Sequence, residues 1–418
     1  MSIVEKILSD INQFFLILLL HLRFCMIIST DPVHIVLLAA FVLMAFIQAW
    51  YYLAYYRKTI TGPPVQATSE GVSAVAAPAV KNIPDKELPP LSVVICARNE
   101  AMNLREFLPK VLEQDYPSFE VVVVNDCSED ETRDLLEEMQ KRYTRLKVST
   151  IIKDPGFAHA KKLAMLIGIK AAINDLLVFT DADCSPVSER WLRTVVSSYS
   201  EGKEMILGYG GYTPEKSLLN RYLRYETMFI AMQYSGMALA GVPYMGVGRN
   251  LSYRRSFFFA NGGFGPHNHI MSGDDDLFVN RTSTPSNCSV MLSPESFTRS
   301  VPPASAEEWV RQKRRHFTAA QYYRPSDKSR LFLEPFSRVS YYGLLIALLI
   351  MLASWPVVAF VALLRLIMRS LVLLRAGKTF NEPDLWFISL FFDILSPFVN
   401  TALYLTAGGK GKKKQVWK

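Results

Sequence analysis

Short runs rich in apolar and β-branched residues alternate with stretches in which apolar residues recur at helical spacing. Two of these stretches open with Asn103 or Ser128, each placed three residues before a glutamate as in a helix-starting capping box. A third helix is predicted over residues 160–173. Near-continuous apolar strands separated by helices predict an α/β domain, with a parallel sheet covered by helices on both faces. The predicted strands are Ser92–Ala97, Phe119–Val124, Lys147–Ile152 and Leu176–Thr180.

The N-terminal part of the chain is much more apolar than this central part. His34–Tyr56 contains about 20 apolar residues, enough to cross a hydrocarbon core, and Arg57-Lys58 follows its aromatic end. Basic residues favour the inner side of a membrane, so we expect the following domain to be cytoplasmic, at a bacterial inner membrane. Residues 11–29 are mostly apolar but contain His21 and Arg23. They are predicted as a span or an interfacial helix, and not as a signal peptide.

Apolar residues return in the C-terminal part of the chain. Val339–Leu364 contains Pro356, and a single crossing would place several arginines outside, so a hairpin or a partly interfacial arrangement is predicted. Leu385–Ala407 is a further membrane candidate. The predicted division is N-terminal membrane helices (1–58), a linker (59–90), a cytosolic domain ending in an interfacial helix (91–325), and C-terminal membrane helices with a basic tail (326–418).

The sequence carries a formal net charge of +8 and five cysteines. With membrane segments present, the basic excess indicates an anionic lipid surface, and no basic stripe coincides with a nucleic-acid-binding motif. The cysteines are widely spaced and lack metal-ligand spacing, which predicts unpaired thiols in a reducing compartment. Neither nucleic-acid binding nor a disulfide framework is predicted.

Two acidic residues directly follow the last predicted strand. In Leu176–Pro186, LLVFTDADCSP, Asp181 and Asp183 are two positions apart, so on an extended backbone both carboxylates face the same way. A hard divalent cation such as Mg²⁺ or Mn²⁺ would relieve their repulsion, and such an ion commonly carries phosphate. The alternative is that Asp183 or Ser185 caps a helix beginning at Pro186.

Polar side chains also follow the first two predicted strands. Arg98, Asn99 and Glu100 come after the first strand, and Asp126 ends the second. The carboxyl ends of parallel strands share one edge of a sheet, where α/β proteins bind their ligands. This convergence favours a site for a metal and a phosphate. The sequence lacks both a GxGxxG after the first strand and a GxxxxGK[ST], so neither a dinucleotide-binding fold nor a P-loop is predicted.

Five segments, taken in order, resemble the membrane-bound glycosyltransferases of family 2: LSVVICARNE, VVVVNDCSEDET, FTDADCSP, SGDDDLF and QKRRH. The resemblance covers Leu91 to Gln321. It implies a GT-A fold, a nucleotide-sugar donor and a divalent metal, Mg²⁺ or Mn²⁺. The family includes polysaccharide synthases and enzymes that glycosylate ceramide and other lipids.

The resemblance also assigns donor-binding roles. Asp181 would contact the nucleotide, and Asp183 would coordinate the metal that bridges the two phosphates. Lys161 or Lys162 would lie near the phosphates, and the alternative for both is a solvated helix face. The nucleotide base and ribose would contact Asn99, Glu100 and Asp126.

The motif GDDD supplies the expected catalytic base. Asp275 matches the family's base, with Asp274 before it and Asp276 as the neighbouring alternative. Mutual repulsion among three acids would raise the pKa of at least one, which suits a base. One base without a second catalytic carboxylate implies direct displacement with inversion. Outside the family context, the motif would be a calcium loop or an acidic helix start.

The last motif and a glycine-rich segment complete the expected site. Gln312 and Arg315 match the element that holds the leaving diphosphate. His316 stands where the family has a tryptophan of the acceptor site, which puts processive synthesis in doubt. Gly248 and Asn250 resemble the segment that lines the acceptor entrance, and we expect them in a flexible polar loop.

A further segment, Leu218–Met232, carries apolar and aromatic residues at helical spacing. It is predicted as a core-packing helix or as a helix lying on the membrane next to a lipid acceptor.

The resulting prediction is an inverting glycosyltransferase that uses a UDP-linked sugar and a lipid or membrane-associated glycan acceptor. Two alternatives stay open. The first is a processive polysaccharide synthase of the poly-N-acetylglucosamine or hyaluronan type. The second is a non-catalytic scaffold subunit that binds a nucleotide sugar.

Overall fold

In a computed structural model of the chain, residues 31–61, 83–152, 161–268, 270, 273–351 and 354–407 are described. The segment predicted at 11–29, most of the predicted linker, and the basic tail lie outside these residues. The chain packs as two compact units. The first unit is Met1–Tyr52 with Leu331–Leu371, and the second is Leu53–Arg330 with Val372–Lys418. The second unit thus includes part of the predicted C-terminal membrane region.

The first unit is made of apolar helices. The helix Pro32–Tyr51 begins after Asp31, whose side chain accepts a hydrogen bond from the Val33 amide at 3.1 Å. Its Phe41 stacks on Tyr341, with ring centroids 5.0 Å apart. The segment predicted at 339–364 is divided between two successive helices that extend beyond it on both sides, and its topology stays a prediction. These helices are Pro325–Met351 and Trp355–Thr379.

Within the described residues, four helices are long and apolar enough to cross a membrane. The helix Pro32–Ile60 is continuous through a π-helical turn at Tyr52–Tyr56. The helices predicted at 34–56 and 385–407 are both among the four. They are Pro32–Ile60, Pro325–Met351, Trp355–Thr379 and Pro383–Thr406.

The second unit is built on strands of very different length. They are β1 (Leu91–Ala97), β2 (Phe119–Asp126), β3 (Leu146–Ile151), β4 (Leu176–Phe179), β5 (Cys184–Pro186), β6 (Met205–Leu207), β7 (Gly210–Tyr212), β8 (Leu251–Arg254), β9 (Cys288–Val290) and β10 (Thr298–Ser300). Seven of them form one sheet in the order β3-β2-β1-β4-β8-β6-β9. The first four are parallel, and β8 is antiparallel to both of its neighbours. The predicted α/β fold with a mostly parallel sheet is confirmed.

Nine helices of four or more residues follow β1 in the described part of this unit, and several of them pack on its sheet. Every residue of β1 and β2 is buried. Gly168 lets its helix approach these strands, because a Cβ there would lie 2.5 Å from the Val94 side chain. The helices are Ala101–Leu112, Thr132–Arg142, Lys161–Ala171, Trp191–Ser197, Leu218–Leu239, Arg255–Ala260, Asp276–Thr282, Ala306–Ala320 and Trp386–Ala407.

Both predicted capping boxes are wrong. The helix predicted to start at Asn103 begins at Ala101, and the Asn103 side chain donates a hydrogen bond to Glu100 at 2.5 Å. The helix predicted after Ser128 begins at Thr132. The Ser128 hydroxyl instead accepts a hydrogen bond from the Asn99 amide at 3.0 Å, which joins the loops that follow β1 and β2.

A separate three-stranded sheet, ordered β5-β10-β7, was not predicted. Its strand β5 occupies the position where a helix starting at Pro186 was considered, and the next helix begins only at Trp191. The capping alternative for Asp183 and Ser185 is therefore wrong, since Asp183 precedes this strand, Ser185 lies within it, and no helix begins at Pro186.

The helix Leu218–Leu239 is a core element of the second unit. Its start is capped by Ser217, whose hydroxyl accepts from the Asn220 amide at 3.0 Å. Tyr222, Tyr225 and Met228 are buried along it, whereas Leu218 at its beginning is exposed. The core-packing interpretation is the one that this burial supports.

Candidate active site

A cavity of about 790 Å³ opens at the carboxyl ends of β1 and β4. Residues that follow these two strands meet there with residues from the three-stranded sheet and from the helix Ala306–Ala320. The charged and polar residues that line it are Arg98, Glu100, Asn103, Lys161, Asp181, Asp183, Tyr212, Ser300, Glu308, Arg311, Gln312, Arg314 and Arg315.

Lys161 brings two of the acidic motifs together. Its ammonium lies 2.8 Å from Asp181 Oδ1 and 3.8 Å from Asp274 Oδ2. Burial alone would lower the pKa of Lys161, but the carboxylates of Asp181 and Asp274 outweigh burial and raise it well above its usual value. Burial likewise favours the neutral form of Asp181, yet Lys161 lowers the pKa of that carboxyl. The acids that follow β4 and the acids of GDDD therefore share one cationic partner.

Asp183 lies beside Asp181 and is oriented by the three-stranded sheet. The Ser300 hydroxyl of β10 donates a hydrogen bond to Asp183 Oδ2 at 3.1 Å. Ligand atoms of Asp181, Asp183 and Cys184 lie within 4.8 Å of one another. Burial raises the pKa of the Cys184 thiol well above its usual value, so this sulfur stays protonated. The two carboxylates fit a hard cation such as Mg²⁺ or Mn²⁺, and they are the residues that would hold it.

Asp275 sits at the start of the helix Asp276–Thr282. Its carboxylate accepts hydrogen bonds from the backbone amides of Gly248 and Asp276, the latter at 2.9 Å. Burial, followed by the charge of Asp274, raises the pKa of Asp275 to about 6. A Cβ at position 248 would lie 3.0 Å from Asp275 Oδ2, so the glycine permits this close approach.

Asp276, the neighbouring alternative for the base, is turned into the protein. Its Oδ2 accepts from the Tyr323 hydroxyl at 2.7 Å, and its Oδ1 accepts from the Leu277 amide at 2.7 Å. Burial, followed by repulsion from Asp275, raises its pKa to about 7. Asp276 is buried whereas Asp275 is only half-buried, so the geometry favours Asp275 as the candidate base.

The helix Ala306–Ala320 directs Gln312 and Arg315 toward the cavity. Its opposite side is fixed by Glu226, which accepts from Trp309 Nε1 at 3.2 Å and pairs with Lys313 at 2.9 Å. Gln312 Oε1 accepts a hydrogen bond from the Tyr212 hydroxyl at 3.1 Å. His316 is exposed and is not among the described residues that line the cavity.

Two predicted site residues have structural roles instead. The Lys162 ammonium donates to the carbonyls of His267 and Ile270 at 2.9 and 2.7 Å, which decides the choice between Lys161 and Lys162 in favour of Lys161. Asn250 is fully buried, and its amide group donates to the Tyr209 carbonyl at 2.8 Å and accepts from Trp191 at 3.1 Å. Its predicted place at an acceptor entrance is wrong, and its segment is a packed 3₁₀ turn, not a flexible loop.

The residues predicted to bind the base and ribose are placed differently from one another. Glu100 lines the cavity, whereas Asn99 and Asp126 are not among its described lining residues. Asn99 adopts a left-handed conformation, with φ of 54°, and its side chain accepts from the Glu129 amide at 2.8 Å. It links two loops at this edge of the sheet. Asp126 is fully buried at the end of β2.

Arg98, which the sequence placed after the first strand, lines the cavity, but other lining residues escaped sequence reasoning. Tyr212 and Ser300 lie in three-residue strands, which are too short to show a hydrophobic period.

Comparison with known proteins agrees with this geometry. Residues 92–259 match the family model described as glycosyl transferase family 2. Residues 92–259 therefore form a glycosyl transferase family 2 domain. This family 2 domain is similar to a probable glycosyltransferase, YdaM, of Bacillus subtilis (strain 168). The two are 27% identical over 256 residues, which are 58% of this chain and 59% of YdaM.

A second curated relative is the glycosyltransferase AglE of Haloferax volcanii. It is 29% identical over 201 residues, which are 47% of this chain and 62% of AglE. The chain thus spans only 59% and 62% of the lengths of these two relatives.

The family 2 domain also has a solved structural counterpart. A mannosyltransferase of Pyrobaculum calidifontis, solved in complex with GDP-Man and Mn²⁺, superimposes with a TM-score of 0.51 at 17% identity. The alignment covers 87% of this chain and 99% of that one. This likeness concerns the fold, and it confirms the predicted GT-A architecture.

Proposed function

We propose that this chain transfers a sugar from a nucleotide sugar to an acceptor hydroxyl, and that the transfer depends on Mg²⁺ or Mn²⁺. The observation that carries the proposal is the position of Lys161, which lines the cavity beside Asp181 and pairs with both Asp181 and Asp274. The glycosyl transferase family 2 domain and the GDP-Man and Mn²⁺ held by the Pyrobaculum mannosyltransferase support it. We propose a UDP-linked sugar as the donor.

The donor side of the site compensates the negative charge of the diphosphate. A divalent ion held by Asp181 and Asp183 would neutralise the phosphates of the leaving group. Lys161 and Arg315 add positive charge at the same cavity, and fixed charges of this kind stabilise a leaving group without rearranging. Gln312, held by Tyr212, would help to orient the diphosphate.

The acceptor side requires a base. Asp275 would take the proton of the acceptor hydroxyl as its oxygen forms the new bond to the anomeric carbon. The bond from that carbon to the diphosphate oxygen breaks in the same displacement, and the nucleoside diphosphate leaves. A single displacement inverts the anomeric configuration.

The acceptor that we propose is a lipid or a membrane-associated glycan. Four helices of the described chain could span a membrane, which would hold the catalytic unit beside lipid-borne hydroxyl groups. We propose that the chain is integral to a bacterial inner membrane, with its catalytic unit in the cytoplasm.

The test uses full-length protein in native membranes. UDP-, GDP- and dTDP-sugars are supplied with Mn²⁺, and release of nucleotide and labelling of lipid extract are measured. We expect one sugar per acceptor from a UDP-sugar, and loss of at least 10²-fold in rate in Asp183→Asn. Glu138→Gln, an exposed position on a distant helix, is the control.

Three results would contradict the proposal or its details. Unchanged turnover in Asp183→Asn would contradict the proposed metal site. Long-chain products would favour a polysaccharide synthase. Nucleotide-sugar binding without transfer to any lipid or glycan fraction would favour a scaffold subunit.

A further inference from the structure

Arg249 is held firmly at the edge of the candidate site. Its carbonyl accepts hydrogen bonds from the hydroxyls of Thr180 and Thr298, at 3.2 and 2.9 Å. On one side, the Gly248 amide donates to Asp275, and on the other side Asn250 is fully buried. The backbone at position 249 is therefore fixed between the end of β4, the strand β10 and the candidate base.

The side chain of Arg249 lies along the three-stranded sheet. A Cβ at Gly210 would come within 3.1 Å of Arg249 Cγ, so the arginine stem fills the space that this glycine leaves. The guanidinium carbon stands 4.6 Å from the centroid of the Tyr212 ring. Tyr212 lines the cavity, and its hydroxyl is bonded to Gln312.

The guanidinium of Arg249 has donors without acceptors. Among the described residues, no carboxylate or carbonyl takes a hydrogen bond or an ion pair from it. Arg299, on the neighbouring strand, is by contrast paired with Glu382. A guanidinium carries five N–H donors, and no nitrogen of Arg249 is among the fully buried polar atoms without a partner, so these donors are open to an acceptor from a bound ligand.

The surrounding charges indicate what that ligand is. Arg249 is close enough to Asp181 to contribute, with Lys161 and Arg315, to lowering the pKa of that carboxyl. Lys161 is already paired with Asp181, so its charge is compensated within the protein. Asp181 and Asp183 also interact with the charge of Arg249, but among the described residues neither accepts a hydrogen bond from it, and its planar fork fits the oxygens of a phosphate or a carboxylate.

We infer that Arg249 binds an anionic group of a substrate on the Tyr212 side of the cavity. This inference rests on the proposed function. Two substrates can supply such oxygens: the diphosphate of the donor, and a phosphate or carboxylate carried by the acceptor. The stacked Tyr212 ring holds the guanidinium plane, so the fork is oriented before the ligand arrives.

The experiment separates the two sources. UDP binding in the presence of Mn²⁺ is measured by calorimetry, and the KM for the acceptor is measured in the transfer assay, for the wild type and for Arg249→Gln. For Arg249→Gln we expect either the affinity for UDP to fall or the KM for the acceptor to rise by about 10-fold to 100-fold, because hydrogen bonds to charged groups contribute about 1.5–3 kcal/mol. Weaker UDP binding assigns the donor diphosphate, and a raised acceptor KM with unchanged UDP binding assigns the acceptor.

Two further variants keep the result interpretable. Arg249→Lys retains the charge and the stem but loses the fork, so it should fold and show a smaller loss in the same constant. Arg254→Gln is the matched control, because Arg254 lies on β8 and pairs with the surface acids Asp175 and Glu204. It should leave both constants unchanged.

The inference is overturned if both constants stay within twofold of the wild type in folded Arg249→Gln or, should that variant not fold, in Arg249→Lys. Failure of the proposed function gives a different result, since the wild type itself would then bind no nucleotide or transfer no sugar.

Discussion

At the scale of single residues, neighbouring acids of the GDDD motif have different surroundings. Asp274 faces Lys161, Asp275 accepts from the Gly248 amide, and Asp276 is bonded to Tyr323. The repulsion that the sequence analysis expected does raise pKa values here, but burial is the larger cause for both Asp275 and Asp276. Asp275 is therefore the candidate base of this motif, and Asp276 is a structural carboxyl.

The first prediction concerns the pH dependence of transfer. A base works only when deprotonated, and the pKa of Asp275 is raised to about 6, so kcat/KM should rise between pH 5 and 7 and then level off. Asp275→Asn should lose about 10²–10⁴-fold in rate at pH 7.5. Initial rates across this range test both statements. A variant as active as the wild type would remove Asp275 from the mechanism.

The second prediction concerns stability. The raised pKa of Asp276 means that the folded protein binds its proton more tightly than the unfolded chain does. Stability should therefore fall as pH rises from about 4 through about 7, the interval between the unfolded and folded pKa values. Asp276→Asn removes this loss, so its Tm relative to the wild type should increase from pH 5 to pH 8. Thermal unfolding measures it, with Glu138→Gln as the control that should show no trend.

Residue-level prediction from the sequence succeeded in placing acids and failed for some amides and amines. Asp181 and Asp183 follow a buried strand, so their location at the cavity could be predicted. Lys162 and Asn250 are satisfied by distant carbonyls. No local pattern shows which partner a buried polar group will find.

At the scale of elements, a loop from the C-terminal part of the chain is joined to the small sheet that carries Ser300. Glu382 is fully buried, and its carboxylate accepts from Arg224, Arg299 and the Tyr209 hydroxyl. Removing one member of such a network leaves buried charge without compensation, which typically costs about 3–5 kcal/mol.

The third prediction follows from this network. Glu382→Gln keeps the shape of the side chain but removes the carboxylate of Arg299 and the buried one of the two that pair with Arg224, so the second unit should unfold at lower temperature and lower denaturant concentration. Asp384→Asn is the matched control. Asp384 pairs with the same Arg224, but its side chain is 49% exposed, so the expected loss is below about 1 kcal/mol. Equal losses in the two variants would contradict the argument.

The long elements could be predicted, and the short ones could not. The apolar runs that became β1, β2 and β4 are buried on both sides, and such strands have a strong sequence signal. The helix starts were misplaced because Asn103 and Ser128 found other partners. The three-residue strands β5, β7 and β10 exist only through their pairing with each other, which a local pattern does not contain.

At the scale of the whole molecule, helices long and apolar enough to span a membrane and a family 2 domain occur in one chain. This combination could be predicted because both signals are long: apolar segments of about 20 residues and five ordered motifs. Which of the helices cross the bilayer depends on partners and lipid that the sequence does not specify.

The fourth prediction is topological. The four described cysteines are buried, so a Cys25→Ser background should react little with maleimide. Glu201→Cys, on an exposed turn of the second unit, provides a single reactive thiol. If the catalytic unit is cytoplasmic, a membrane-impermeant maleimide should label this thiol in lysed cells and not in intact spheroplasts. Labelling of intact spheroplasts would reverse the orientation.

The ammonium between Asp181 and Asp274 has one more consequence. These acids already have a counter-ion of the protein's own, so the fold does not depend on a bound metal to keep them together. Treatment with EDTA should therefore stop turnover while the melting temperature moves by less than about 2 °C. Added Mn²⁺ should restore the full rate without refolding. The metal-free protein would then be folded but inactive, and it could be stored in that form and reactivated.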